Sequence, residues 1–275
     1  MKTYSARHFS LEILGFVLAL LFLIPFYFVG VNSVKSFGDL LSNAAGWPEA
    51  FVWSNYTKVW SIMRFPSAFT NSFLITVLSN IGLIVISAMA AYRMVRVPSR
   101  FNNLMLFLFV AAMVIPFQSI MIPLVRVASE LHIMNSIWGL VIAYFGFGVS
   151  LNIFLFHGFI KSIPKEIEES AVVDGCNTYG VFWKIIFPLL KPMTVTILML
   201  NTLWIWNDFL LPLLFLYNPE LRTIPLATYS FFGQYTKQWD LALAGLVMGI
   251  TPIIIFMLAL QKHIIEGITA GSVKG

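Results

Sequence analysis

What is scarce in this 275-residue chain narrows its nature before anything present does. Charged residues make up 11%, against roughly 25% in ordinary soluble proteins, too few to clothe a water-exposed surface. A single cysteine, Cys176, excludes an internal disulfide and any zinc or iron–sulfur site built from several thiolates. None of the 17 glycines is followed by lysine, so no P-loop for nucleotide phosphates is encoded. There is no His-Glu-x-x-His, and His8, His132, His157 and His263 are scattered over different segments. Of these, only His157 lies near the end of an apolar run, where a polar residue at the membrane interface is expected. Gly148-Val149-Ser150-Leu151 begins like a serine nucleophile turn but lacks the closing glycine. The chain therefore offers no set of side chains for covalent chemistry, and no catalytic residue, metal or cofactor of its own is expected.

What is abundant is apolar. Hydrophobic residues are 59% and the mean hydropathy is +0.86. A bilayer core of about 30 Å takes roughly 20 apolar helical residues, and six runs qualify: about 11–31, 72–92, 104–125, 137–156, 193–215 and 241–260. Backbone polar groups in lipid must be satisfied within the segment, so these are helices, and the alternation of a membrane β-barrel is absent. Pro116 and Pro123 are expected to kink or break the third. The fold class is an all-α polytopic membrane protein with six transmembrane helices, read as one transmembrane domain over residues 1–275. Lys2 and Arg7 before the first run resemble a secretory leader. The run is long enough to span and no small-x-small site follows it directly, so it reads as an uncleaved helix.

Lysine and arginine set the direction. The N-terminal tail, the 93–100 loop, the 161–191 segment and the C-terminal tail hold eleven of the 17, and the other side holds six. The positive-inside rule places both termini in the cytoplasm. Topology thus accounts for the net charge of +5, and no nucleic-acid partner is needed.

The 161–192 connection is long and polar for a link between two spans. Ser162 can cap a helix, Pro164 suits a first turn, and Glu166, Glu168 and Glu169 favour its positive end. Ile163, Ile167 and Ala171 fall on one face, Gly175 can supply a left-handed stop, and a second helix from Tyr179 to Ile186 is expected to end at Pro188. This predicts a short amphipathic helix lying across the cytoplasmic face. It either rests on lipid headgroups or docks a soluble partner.

Glu169-Ser170-Ala171, Gly175, Ile185 and Pro188, placed before the last two spans, resemble the EAA loop of binding-protein-dependent ABC importer permeases. Ser170 and Phe187 stand where that pattern has Ala and Leu. Asn71-Ser72, Ala91-Tyr92, the stretch Trp206-Asn207-Asp208 to Pro212, and Pro252, Gln261, Gly267 with the 269–275 ending are similar to the carbohydrate branch, MalG-like permeases of the maltose-transporter type. The resemblance covers residues 10–275. It implies the type I importer permease fold, with a cytoplasmic coupling helix seated in a partner ATPase through Glu169, Ser170, Ala171, Asp174, Gly175 and Pro188. It also implies an ATPase-contacting tail, Ser272, Val273, Lys274 and Gly275, and an outer loop with Phe232, Gly233, Gln234 and Tyr235 that meets an extracytoplasmic sugar-binding protein. The aromatic residues of that loop could equally rest on the bilayer interface. Further implied partners are a second homologous permease and two copies of a cytoplasmic ABC ATPase, which binds ATP and Mg. The setting is a bacterial or archaeal cell membrane.

Asp208 is the one ionisable residue well inside an apolar run. On lipid it would cost at least about 2.5–3.5 kcal/mol, so it should face protein or water. Asn201, Trp204, Trp206, Asn207 and Asp208 together either line a sugar translocation path or make inter-helix contacts and a local break before Pro212. The competing function, a stand-alone channel or ion-coupled carrier, would need more intramembrane ionisable groups and no coupling helix.

Overall fold

The computed structural model describes residues 6–233 and 238–272, and side chains for 8–233 and 238–261. Gln234, Tyr235, Val273, Lys274 and Gly275 lie outside the described residues, as does the side chain of Ser272. The described chain is helical: α1 (Ala6–Asn32), α2 (Phe37–Ser42), α3 (Ser54–Ile62), α4 (Phe65–Arg96), α5 (Arg100–Ala112), α6 (Phe117–Glu130), α7 (Ile137–Ile160) and α8 (Glu166–Val173). They are followed by α9 (Thr178–Leu189), α10 (Lys191–Asn207), α11 (Leu210–Phe215), α12 (Ile224–Thr228) and α13 (Trp239–Ser272). Four stretches are long and apolar enough to cross a membrane singly, in α1, α4, α7 and α13. Two bent pairs pass the same test together, α5 with α6 at 106° and α9 with α10 at 71°.

The chain groups into two compact units. The first comprises residues 1–66 and 227–252. Its stretch between α1 and α3 is organised around Lys35, which is 0% exposed and donates from Nζ to the carbonyls of Asn43 (2.5 Å) and Gly46 (2.7 Å). Asn32 donates to Phe28 and Ala44 carbonyls, and Asn55 to those of Ser33 and Lys35. A side chain that the sequence placed among loop charges is therefore the core of a folded cap. Burial of an ammonium is tolerable because backbone oxygens replace its water.

The second unit comprises residues 67–226 and 253–275. Here α4 and α7 approach closely because both lack bulk at the contact. A Cβ at Gly82 would overlap the Phe145 ring, and one at Gly148 would meet Leu83 at 2.8 Å. Small residues at such crossings let helices associate where lipid gives no hydrophobic drive. One apolar cluster joins Ile84, Ala88 and Ala91 of α4 to Ile153, Phe156 and Ile160 of α7 and to Ala171, Phe182 and Ile186 of the 161–192 segment.

Several expected elements take a different form. The third run breaks at Pro116, which N-caps α6 in extended geometry, while Pro123 sits inside α6. Residues before a proline are steered away from helix, and Met113 to Ile115 are where the chain turns. The helix expected over 193–215 ends at Asn207, and Asp208 is extended (φ −70, ψ 131) before α11 begins. Ser162 does not cap α8; its Oγ closes α7 on Phe159 O (2.8 Å), and α8 starts from Lys165 with no side-chain cap. Nor does Pro188 end α9. The backbone widens to a π-turn over Val181–Ile186, with Phe187 N–H bonding Phe182 O, which makes room for a residue that has no N–H and crowds the preceding carbonyl.

Candidate functional site

The 161–192 segment is built inward and outward at once. Gly175 has φ +84, and its N–H bonds Val172 O (3.0 Å) while Cys176 N–H bonds Ala171 O (2.9 Å). That pair of bonds is the Schellman arrangement, and it stops α8 within eight residues. Ala171 and Ile163 are buried in the apolar cluster, but Ile167 is exposed, so the expected three-residue stripe is cut to its two ends. Glu169, Ser170 and Asp174 are exposed, as are Val172 and Val173, the latter 87%. Ser170 Oγ turns back to Glu166 O (2.7 Å), so a hydroxyl is tolerated at that position without a new partner. Pro188 is exposed on α9.

Glu168 behaves unlike its neighbours. Its Oε1 pairs with Arg96 Nε at 2.6 Å, with the two side chains only 13% and 11% exposed. Tyr92 OH donates to its other oxygen (2.7 Å), and Arg96 Nη2 donates to Ile163 O (3.0 Å). Sequence reasoning counted Arg96 only as a topological charge and left Glu168 out of the site. The pairing of Ala91-Tyr92 with the loop resemblance was the available signal.

Within the second unit, a cavity of about 230 Å³ is lined by Phe117, Gln118, Phe147, Trp204, Asp208, Leu210 and Leu211. Asp208 occupies the gap between α10 and α11. Its Oδ1 accepts from Leu210 N–H (3.0 Å) and its Oδ2 from Tyr144 OH (2.9 Å). A carboxylate here sits at the positive end of α11, and two donors replace lost hydration. Trp204 meets Tyr144 edge to face at 5.4 Å and keeps 40% of its surface exposed.

Of the five candidate path residues, the structure brings together Trp204 and Asp208. Asn201 and Trp206 are buried instead, Trp206 against Phe69 (5.9 Å), and the exposed Asn207 donates to Leu203 O (2.7 Å). Phe117, Gln118 and Phe147 add to the lining, and the buried Tyr144 supports Trp204 and Asp208; none of the four was singled out, because they come from segments far from α10 in the chain. The cavity falls below the roughly 300–1,000 Å³ of ligand pockets, so it is too small to enclose a drug-sized ligand whole.

In the first unit, Phe232 packs edge to face on Trp239 (5.1 Å), and Gly233 is partly exposed. The other two residues expected on that loop are outside the described ones.

Comparison with known proteins gives one consistent set of matches. Residues 81–269 match the family described as binding-protein-dependent transport system inner membrane component. AmyC of Thermoanaerobacterium thermosulfurigenes, named as a probable starch degradation products transport system permease protein, is 41% identical over 274 residues, covering 100% of both chains. MelC of Bacillus subtilis, a melibiose/raffinose/stachyose import permease protein, is 33% identical over 275 residues, covering 100% of this chain and 99% of its own. A crystal structure of a bacterial ABC transporter involved in importing the acidic polysaccharide alginate contains a chain with TM-score 0.78 and 24% identity. That alignment covers 95% of this chain and 99% of the other, and it shows a shared fold.

Proposed function

The chain belongs to the family of binding-protein-dependent transport system inner membrane components, and from that premise we propose that it forms half of the translocation path of an ATP-driven sugar importer. It is a multi-pass membrane protein and a permease component of an ABC transport system, a kind of system that works with an ATPase and a binding protein. The proposed assembly adds a second, homologous permease and two ATPase copies, with both termini cytoplasmic. ATP and Mg are bound by the ATPase, and this subunit carries no catalytic group.

The observation that carries the reading is α8, a short helix stopped by Gly175 and tied to the spans on one side. Its other side presents Glu169, Val172, Val173 and Asp174 to a partner. Exposed valines flanked by carboxylates suit a socket in a soluble protein better than a headgroup layer, which the acidic groups would face unfavourably. The proposed contact also includes Ser170, Gly175 and Pro188, and the tail 272–275 reaches the same ATPase.

Sugar as cargo is supported by the relatives' names and by the cavity. Trp204 offers an indole face for sugar C–H surfaces, and Asp208 and Gln118 offer acceptors and donors for hydroxyls. The loop of Phe232, Gly233, Gln234 and Tyr235 is proposed to meet the binding protein. The test is ATP-driven uptake by the purified complex with maltotriose, raffinose, an amino acid and phosphate as alternative cargoes. The reading expects sugar alone to accumulate. Uptake of an amino acid with no response to either sugar would overturn the cargo.

A further inference from the structure

The first unit carries a cavity that the transport reading does not use. It measures about 270 Å³ and lies where α1 ends. Gly30, Val31 and Val34 form one side of it, and Trp47, Phe51, Trp53 and Tyr56 form the other. The four aromatic rings make a continuous row. Trp47 meets Phe51 edge to face at 6.1 Å, Phe51 stacks on Trp53 at 6.0 Å, and Trp53 tilts against Tyr56 at 6.1 Å. The backbone beneath the row is pinned. Val52 N–H bonds Val34 O (2.7 Å), and the buried Lys35 ties down the carbonyls of Asn43 and Gly46. Yet Trp47, Phe51 and Trp53 keep 66%, 50% and 65% of their surface exposed. A fixed apolar patch of this kind marks a surface that something covers.

The chemistry of the patch says what covers it. It continues a surface already given to lipid, since the most apolar part of α1 has no buried residue within this chain. The apolar stretch His8–Asn32 has 25 residues. At 1.5 Å per residue it rises about 37 Å, slightly more than a bilayer core of about 30 Å. Gly30 to Val34 therefore stand at a bilayer interface, the depth at which Trp and Tyr gather. The lining holds no charged side chain, so nothing in it recognises a phosphate or an amine. Its polar groups are two indole N–H groups and the Tyr56 hydroxyl, which is already hydrogen-bonded to Ser33 Oγ (2.7 Å). Indole donors suit the ester carbonyls of a glycerolipid. A sugar would also call for carboxylate or amide acceptors, as Asp208 and Gln118 offer in the other cavity, and none lines this one.

We propose that this aromatic slot is a lipid site, which takes an acyl chain of a membrane glycerolipid and is indifferent to the headgroup. The chain lies against Gly30, Val31 and Val34 with the rings over it, and it seats the 36–53 stretch at a fixed depth. The inference needs α1 to cross a membrane and does not depend on the cargo.

The test labels the assembled complex in lipid nanodiscs with phospholipids that carry a photoreactive diazirine in the acyl chain. The same chain is offered on phosphatidylglycerol and on phosphatidylethanolamine. Mass spectrometry reads label in the 30–34 and 47–56 stretches against label in 11–24, the general lipid-facing background of α1. The slot is expected to carry more label per residue than the background, equally from both lipids. A Cβ at Gly30 meets nothing within 4 Å, so Gly30→Leu fills the slot without a clash. It is expected to lower slot label by at least about tenfold, the scale of one large apolar side chain's burial, and to leave the background unchanged. Gly15→Leu, equally open but outside the slot, changes neither. Trp53→Ala removes an exposed ring, is expected to lower slot label too, and decides alone should Gly30→Leu fail to assemble. Slot label no higher than background, or unchanged in either assembled variant, overturns the site. A severalfold preference for one headgroup overturns recognition by the chain. Protection of the slot by excess maltotriose or by the binding protein overturns lipid as its occupant.

Discussion

Replacing Gly175 offers a graded test of the coupling role proposed for α8, because the structure separates the causes of damage. Gly175 holds φ +84, and a Cβ there would meet nothing within 4 Å, so alanine fits sterically and only the backbone objects. Left-handed geometry costs an L-residue roughly 1–2 kcal/mol, and asparagine less, because its side chain bonds locally. Proline cannot reach positive φ at all, and it removes the N–H that bonds Val172 O. An eight-residue helix has little stability of its own, so a penalty at its stop falls directly on the population of the docked shape. A cost of about 1.4 kcal/mol corresponds to a tenfold shift. The expected order of sugar-stimulated ATPase activity is Gly, then Asn, then Ala at about a tenth of wild type, then Pro with none. Membrane insertion should be equal throughout. Pull-down of the ATPase by detergent-solubilised complexes should follow the same order. Alanine performing above asparagine, or proline performing like glycine, would refute the argument from backbone geometry.

Other expectations follow from single contacts. Trp204→Ala should slow sugar uptake with little change in melting temperature, since that ring is part-exposed on the cavity, whereas Trp206→Ala should cost about 3–5 kcal/mol of stability as a buried ring is lost; a thermal-shift and uptake comparison decides it. Lys35→Met keeps the stem but leaves the Asn43 and Gly46 carbonyls unpaired, each costing about 1–3 kcal/mol, so limited proteolysis should cut the 36–53 loop faster. Gly82→Leu drives a side chain into Phe145 and should lower the melting temperature and yield of the complex, while Gly15→Leu on α1, where a Cβ meets nothing, should not.

How much of this was legible follows from where the partners lie. The short helix α8 was readable because its signals are local: three glutamates in a first turn, and a glycine two residues past its end. The break at Pro116 was readable for the same reason. Asn71-Ser72 and Ala91-Tyr92 drew notice only through resemblance, since Asn71 meets Glu220 across 149 positions and Tyr92 meets Glu168 across 76. Periodicity cannot report such contacts. Glu168 and Glu169 look alike in the sequence, and only the packing of α8 on α4 turns one inward and leaves the other exposed. The break around Asp208 was legible only as one of two alternatives, a local break before Pro212, because Leu210 to Phe215 continues the apolar run; hydropathy counts residues and does not see a carboxylate ending one helix and opening the next.

The central claim is that this chain moves sugar only as part of an ATP-driven assembly. The direct measurement is flux of radiolabelled raffinose and maltotriose into liposomes holding either the chain alone or the complex with its second permease, ATPase and binding protein. The account predicts no flux from the chain alone, with or without an ion gradient, and ATP-dependent accumulation of at least one of the two sugars by the complex. Sugar flux through the chain alone, driven by a proton or sodium gradient, would contradict it.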